Sequence, residues 1–81
     1  MSVTVGQQLM AYLAKADLMN QIAQSKLILQ NAEKYHNAIL IQRDSDPGRS
    51  MEYIDLILHS SINIYDICTN LESLEQQLKS M

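Results

Sequence analysis

The chain contains no Trp or Phe, one Cys, one Pro and two Gly among its 81 residues. Each shortage excludes something. Without Trp or Phe, and with four Tyr only, there is no aromatic platform on which successive bases of a single strand could stack. The six basic residues, Lys15, Lys26, Lys34, Arg43, Arg49 and Lys79, are scattered, and the net charge is -3. No basic footprint for a phosphate backbone results, so nucleic acid is not an expected partner. The single Cys68 cannot close an internal disulfide and fits a reducing compartment. No stretch reaches the roughly 18 apolar residues of a membrane span. The opening Met1-Ser2-Val3-Thr4-Val5-Gly6 lacks the basic start and apolar run of a cleaved leader. Together these features predict a cytoplasmic protein.

The scarcity of helix breakers sets the architecture. Pro47 and Gly48 stand together in Arg43-Asp44-Ser45-Asp46-Pro47-Gly48-Arg49-Ser50, the one strong break in the chain. The spacing predicts a helix over about residues 4–42, a turn over 43–50 and a second helix over about 50–79, in one domain covering 1–81. Thr4 with Gln7 three residues on has the form of a capping box. Unbroken, the first helix would run about 58 Å at roughly 1.5 Å per residue. At the turn two schemes are open. Asp46 caps the second helix with Pro47 at its first position, or Pro47-Gly48 forms a type II turn and Ser50 caps.

What the chain does have is apolar periodicity, with 47% hydrophobic residues, enough for a folded core. On the first helix two apolar rows recur at steps of four and three. One is Val5, Leu9, Tyr12, Ala16, Met19, Ala23 and Leu27; the other is Leu18, Ile22, Ser25, Leu29, Ala32, His36 and Ile39. They lie well over a quarter-turn apart. On the second helix the expected inner row is Ile54, Ile57, Ser61, Ile64, Cys68, Leu71 and Leu78, flanked by Tyr53, Leu58, Tyr65 and Leu74. Glu52, Asp55, His59, Asn63, Asp66, Asn70, Ser73 and Gln77 face the other way.

The expected fold is therefore all-α, an antiparallel hairpin of two long helices. Folding about residue 46 brings 40 near 52, 29 near 63 and 18 near 74. The Leu18–Ile39 row then meets the second helix, and the Val5–Leu27 row is left over. The competing architecture is a three-helix bundle, with the first helix broken between Asn20 and Ser25 and both rows inside. No Pro or Gly marks such a break.

Chemistry is absent from the pattern. His36 sits on an apolar row and His59 on a polar face, and neither has companions at ligand spacing for a metal. Cys68 has apolar or acidic neighbours, the setting of a packed thiol rather than a nucleophile. Asp44 and Asp46 flank a polar turn, and Gly6 and Gly48 match no phosphate-binding pattern. No catalytic residue, metal or cofactor is expected. The leftover row suggests instead a contact with another protein chain, in a homo- or hetero-oligomer. Its expected partner-binding residues are Leu9, Tyr12, Leu13, Ala16, Met19 and Ala23, where tyrosine and methionine are side chains enriched at interfaces.

A small helical hairpin with Asp46-Pro47 in the turn and Ser61-Ile62-Asn63-Ile64-Tyr65 in the second helix resembles one group of proteins. These are the small accessory proteins of bacterial type III secretion, especially the hairpin co-chaperones that hold needle subunits before export. Needle subunits carry two prolines in the turn, whereas this chain has one. The resemblance implies a cytoplasmic binding partner and no catalysis. The function expected on these grounds is a small chaperone or adaptor that buries a partner's helix. A self-assembling structural subunit and a small regulator of a larger protein are the alternatives.

Overall fold

Thr4 begins the first helix as its side chain predicts. Its Oγ1 accepts the Gln7 backbone N–H at 3.2 Å, and the Gln7 side-chain oxygen accepts the Thr4 N–H at 3.2 Å. Two of the amide groups that a helix start leaves unpaired are thereby satisfied. The structure is a computed structural model that describes residues 4–81, so Met1, Ser2 and Val3, part of the opening segment expected to lack a cleaved leader, lie outside the described residues. From this cap α1 runs without interruption over Val5–Ser45. A single 3-10 turn, Pro47–Arg49, leads into α2, Ser50–Lys79. No strand occurs among the described residues. Continuity through Asn20–Ser25 settles the architecture as the hairpin rather than the three-helix bundle.

The turn follows neither capping scheme in full. A type II turn needs positive φ at its third residue, and no glycine has positive φ, so Pro47-Gly48 is not one. Ser50 is already helical and closes the 3-10 turn through its N–H to the Pro47 carbonyl, so it does not cap the start of α2. Pro47 does occupy the first position of the 3-10 turn, where its missing N–H costs no bond. Asp46 precedes it but makes no side-chain cap bond. Its carboxylate lies instead 3.8 Å from the Arg49 guanidinium. Charges at the helix ends oppose the backbone dipoles, with Arg43 and Lys79 in the last turns of α1 and α2 and Glu52 in the first turn of α2.

The seam is a heptad pattern on both strands of the hairpin. On α1, Leu18, Ile22, Ser25 and Ile39 are buried, with Leu29, Ala32 and His36 half-buried between them. This is the second row read from the sequence, residue for residue. On α2, Ser60 and Leu74 are buried, and Tyr53, Ile57, Ile64, Ile67, Leu71 and Leu78 are half-buried. The alternation of four- and three-residue steps is that of an antiparallel coiled coil.

The expected inner row of α2 needs correction. Ile57, Ile64, Leu71 and Leu78 do face α1, and Cys68 is half-buried at the edge, but Ile54 and Ser61 are exposed. Ser60, Ile67, Leu74 and Tyr53 take the remaining seam places. The flanking residues Leu58 and Tyr65 point outward. Hydropathy alone cannot choose between Ser60 and Ser61, or between Ile67 and Cys68. A hydrogen bond chooses. His36 brings a polar ring into the seam, and its Nδ1 pairs with Ser60 Oγ. That hydroxyl donates its only proton to the Ile57 carbonyl at 3.0 Å, which makes His36 Nδ1–H the donor to Ser60. Losing this partner from the half-buried imidazole forfeits at least the roughly 0.5–1.5 kcal/mol of an ordinary hydrogen bond.

The same bond sets the register. Heptad steps from His36 and Ser60 place Ile39 opposite Ile57, Leu29 opposite Ile67 and Ile22 opposite Leu74. The chain therefore folds about Gly48 and not about residue 46, one helical turn along from the expected pairing. At the open end Leu18, Ile22 and Leu74 form the core cluster, with Leu71 and Leu78 against it.

Candidate protein-binding surface

The two arms are unequal. α1 has 41 residues and α2 has 30. In the register above α2 ends opposite Asp17, so Val5–Ala16 extends past it, about 18 Å of helix at 1.5 Å per residue. The molecule is a rod of 71 × 14 × 13 Å.

Along this projecting end and onward to Leu27 runs the first apolar row, well over a quarter-turn of α1 from the seam. Leu9 is 56% exposed, Tyr12 71%, Leu13 54% and Met19 53%. Ala16 and Ala23 between them are exposed as well. All six expected partner-binding residues thus share one accessible face, with Val5 and Leu27 at its ends. The row owes its existence to the same uninterrupted helix that forms the seam. Leu18 and Ile22 are buried against α2, while Met19 and Ala23, one position on, are exposed beside it.

Beside the row lies an open groove of about 300 Å³, lined by Met19, Ile22, Ala23, Lys26 and Leu78. Here the row, the seam and the end of α2 meet. Lys26 and Leu78 were not anticipated as part of this surface. Leu78 enters through the register, which only the folded hairpin reveals, and Lys26 contributes a cation at the rim of an apolar hollow. Such a rim suits a helix that buries side chains in the hollow and carries an acidic group at its edge.

The other candidate residues are dispersed. His36 is held in the seam, His59 is exposed on the far side of α2, and Cys68 is a half-buried free thiol. Among the described residues no group of three or more His, Cys, Asp or Glu is placed to hold a metal ion. Among the described residues no helix is long and apolar enough to cross a membrane. No protein-family model, curated protein or solved structure matches the chain.

Proposed function

We propose that this chain is a non-enzymatic protein–protein interaction module, a small chaperone or adaptor that buries a helix of a partner protein. The resemblance noted from the sequence suggests a cytoplasmic setting in bacterial secretion. One observation carries the proposal: the Val5–Leu27 face of α1 is bare along its length, and α2 is already engaged along the seam row. Area and shape support it. The chain exposes 6481 Å², whereas a compact monomer of its mass exposes about 4,900 Å². Its radius of gyration is 19.5 Å, against about 12 Å for a compact chain of this length. Both values follow from the 71 Å rod, in which only two helices share the core. Catalysis has no part in the proposal, because it requires none of the reactive side chains.

The test is a photo-crosslinking residue at Leu13 in producing cells. One partner is expected, joined through a helix. Leu9→Asp with Met19→Asp should abolish the adduct while helical circular dichroism is kept. Cys68→Ala and His59→Gln, both away from the face, should leave binding within about twofold. Loss of helix in the double variant would move Leu9 and Met19 into an internal core and end the proposal. So would adducts scattered over many unrelated proteins.

A further inference from the structure

We propose that the seam of this chain fits two states, and that Pro47 selects the hairpin over an antiparallel pair of straight chains that exchange arms. The inference goes beyond the partner-helix proposal and rests on the seam and the turn, not on the bare face. The seam positions step by four and three from Leu18 to Ile39. The same steps continue through half-buried Arg43 and Asp46, Ser50 and half-buried Tyr53, and on from Ile57 to Leu78. A turn can join two helices in any phase. This one joins them in the phase of a single unbroken heptad stripe.

The turn is also close to helical. Between Val5 and Lys79 Asp46 alone lies outside any helix, with φ -138° and ψ 73°. Pro47–Arg49 is a 3-10 turn, and no residue there has positive φ. Run straight through, Val5–Lys79 would be about 110 Å long at roughly 1.5 Å per residue, with a two-fold axis passing Gly48. Every seam residue would keep its neighbour, now on the second chain: His36 opposite Ser60, Ile39 opposite Ile57 and Ile22 opposite Leu74, each twice. Such an exchange of identical arms gives up no seam contact. At the axis Asp46 and Arg49 of both chains meet, two carboxylates with two guanidiniums, in place of the single pair at 3.8 Å.

Proline stands against that state. The ladder of α1 ends where the Asp46 N–H donates to the Gln42 carbonyl at 3.0 Å. The next donor would be residue 47, and proline has none. Its ring also crowds the carbonyl four residues back and disfavours helical angles at Asp46. Relative to Ala, proline disfavours a continuous helix roughly a hundredfold per chain, and so about ten-thousandfold per pair. Gly48 does so only about fivefold per chain. The hairpin does not require this glycine, since a Cβ there has room, with Asp46 Oδ1 at 3.8 Å. The central seam positions Arg43, Asp46 and Ser50 are polar and add little apolar contact, which leaves proline to decide. The choice sets how many Val5–Leu27 faces a particle carries: one on the hairpin, two at opposite ends of the exchanged pair.

Disulfide capture across the seam is the test, in a Cys68→Ser background. Chains carrying Ala32→Cys are mixed with chains carrying Ile64→Cys, unfolded in urea, refolded together and mildly oxidised. With Pro47 present, almost no disulfide between chains is expected, and the two cysteines placed in one chain should close within it. With Pro47→Ala and Gly48→Ala added, the disulfide between unlike chains should rise at least about a hundredfold. Leu29→Cys with Ile67→Cys repeats the test at a second level. Ala32→Cys with Leu78→Cys, out of register, should give no such product. Gly48→Ala alone should behave as the parent. Four results would overturn the proposal: exchange in the parent, exchange with Gly48→Ala alone, no exchange once both turn residues are Ala, or capture that ignores register. The Leu13 adduct is read on the parent chain and does not involve the turn, so failure of either proposal leaves the other standing.

Discussion

The face of α1 that the hairpin buries is less apolar than the face it leaves bare. The buried row includes Ser25, Ala32 and His36, while the bare one includes Leu9, Tyr12, Met19 and Leu27. The difference lies beyond the reach of α2, which ends opposite Asp17: of the bare row only Met19, Ala23 and Leu27 could have met it, against Leu18, Ile22, Leu29 and Ile39 on the buried row. The small and polar residues of the buried row add specificity to that area. Ser25 and Ala32 let the helices approach, and His36 finds its hydrogen-bond partner only in Ser60. Specificity is built into the buried row, and contact area is held in reserve on the other.

The sharpest way to break this comparison is to shorten a large side chain on each face. Leu74→Ala removes the α2 member of the cluster with Leu18 and Ile22, and should cost roughly 2–5 kcal/mol in urea unfolding. Leu9→Ala, on the bare face, should change stability by less than about 0.5 kcal/mol at the same chain concentration. Equal losses would mean that both faces are core.

The polar pair provides the next test. Ser60→Ala strands the His36 ring and should cost at least about 0.5–1.5 kcal/mol. Adding His36→Leu removes the stranded donor and should recover most of that loss. A double-mutant cycle by urea unfolding measures the coupling. Additive losses would show that the pair does not set the register.

The smallest effect belongs to the projecting end. Thr4→Ala deletes one half of the capping box, worth about 0.5–2 kcal/mol to a helix that depends on it. The cap lies beyond the seam, so global stability should not move. The change should appear as faster amide hydrogen exchange confined to the first turns of α1. A fall in global stability would mean that Val5–Ala16 is tied into the core.

The first helix was readable from the sequence almost completely. Its cap, its length to within three residues at the far end and all seven residues of its seam row follow from the period and the absence of breakers. The six residues expected to meet a partner come from the same period, and what the fold shows of them is that they are exposed. The second helix was readable in extent but not in rotation. It is apolar on too many sides, with Ile54, Leu58, Ile62 and Tyr65 outside and Ile57, Ile64, Ile67 and Leu71 inside. Period alone does not rank two rows of equal hydropathy. The information that does, a hydrogen bond between residues 36 and 60, joins positions far apart in the chain. The groove beside Met19 escaped for the same reason, because Leu78 reaches it only through the folded register.

Ile22 and Leu78 belong at once to the contacts that clasp the open end of the hairpin and to the wall of the groove. Binding and folding are therefore thermodynamically linked at this end of the rod. An occupant of the groove that prefers the closed hairpin raises its stability by mass action, as RT ln(1 + [L]/Kd). A substitution that loosens the clasp lowers affinity for the occupant, without touching it, to the extent that it depopulates the closed hairpin. Affinity at the exposed face can thus be tuned from within the seam, and the melting temperature of the hairpin reports whether the face is filled.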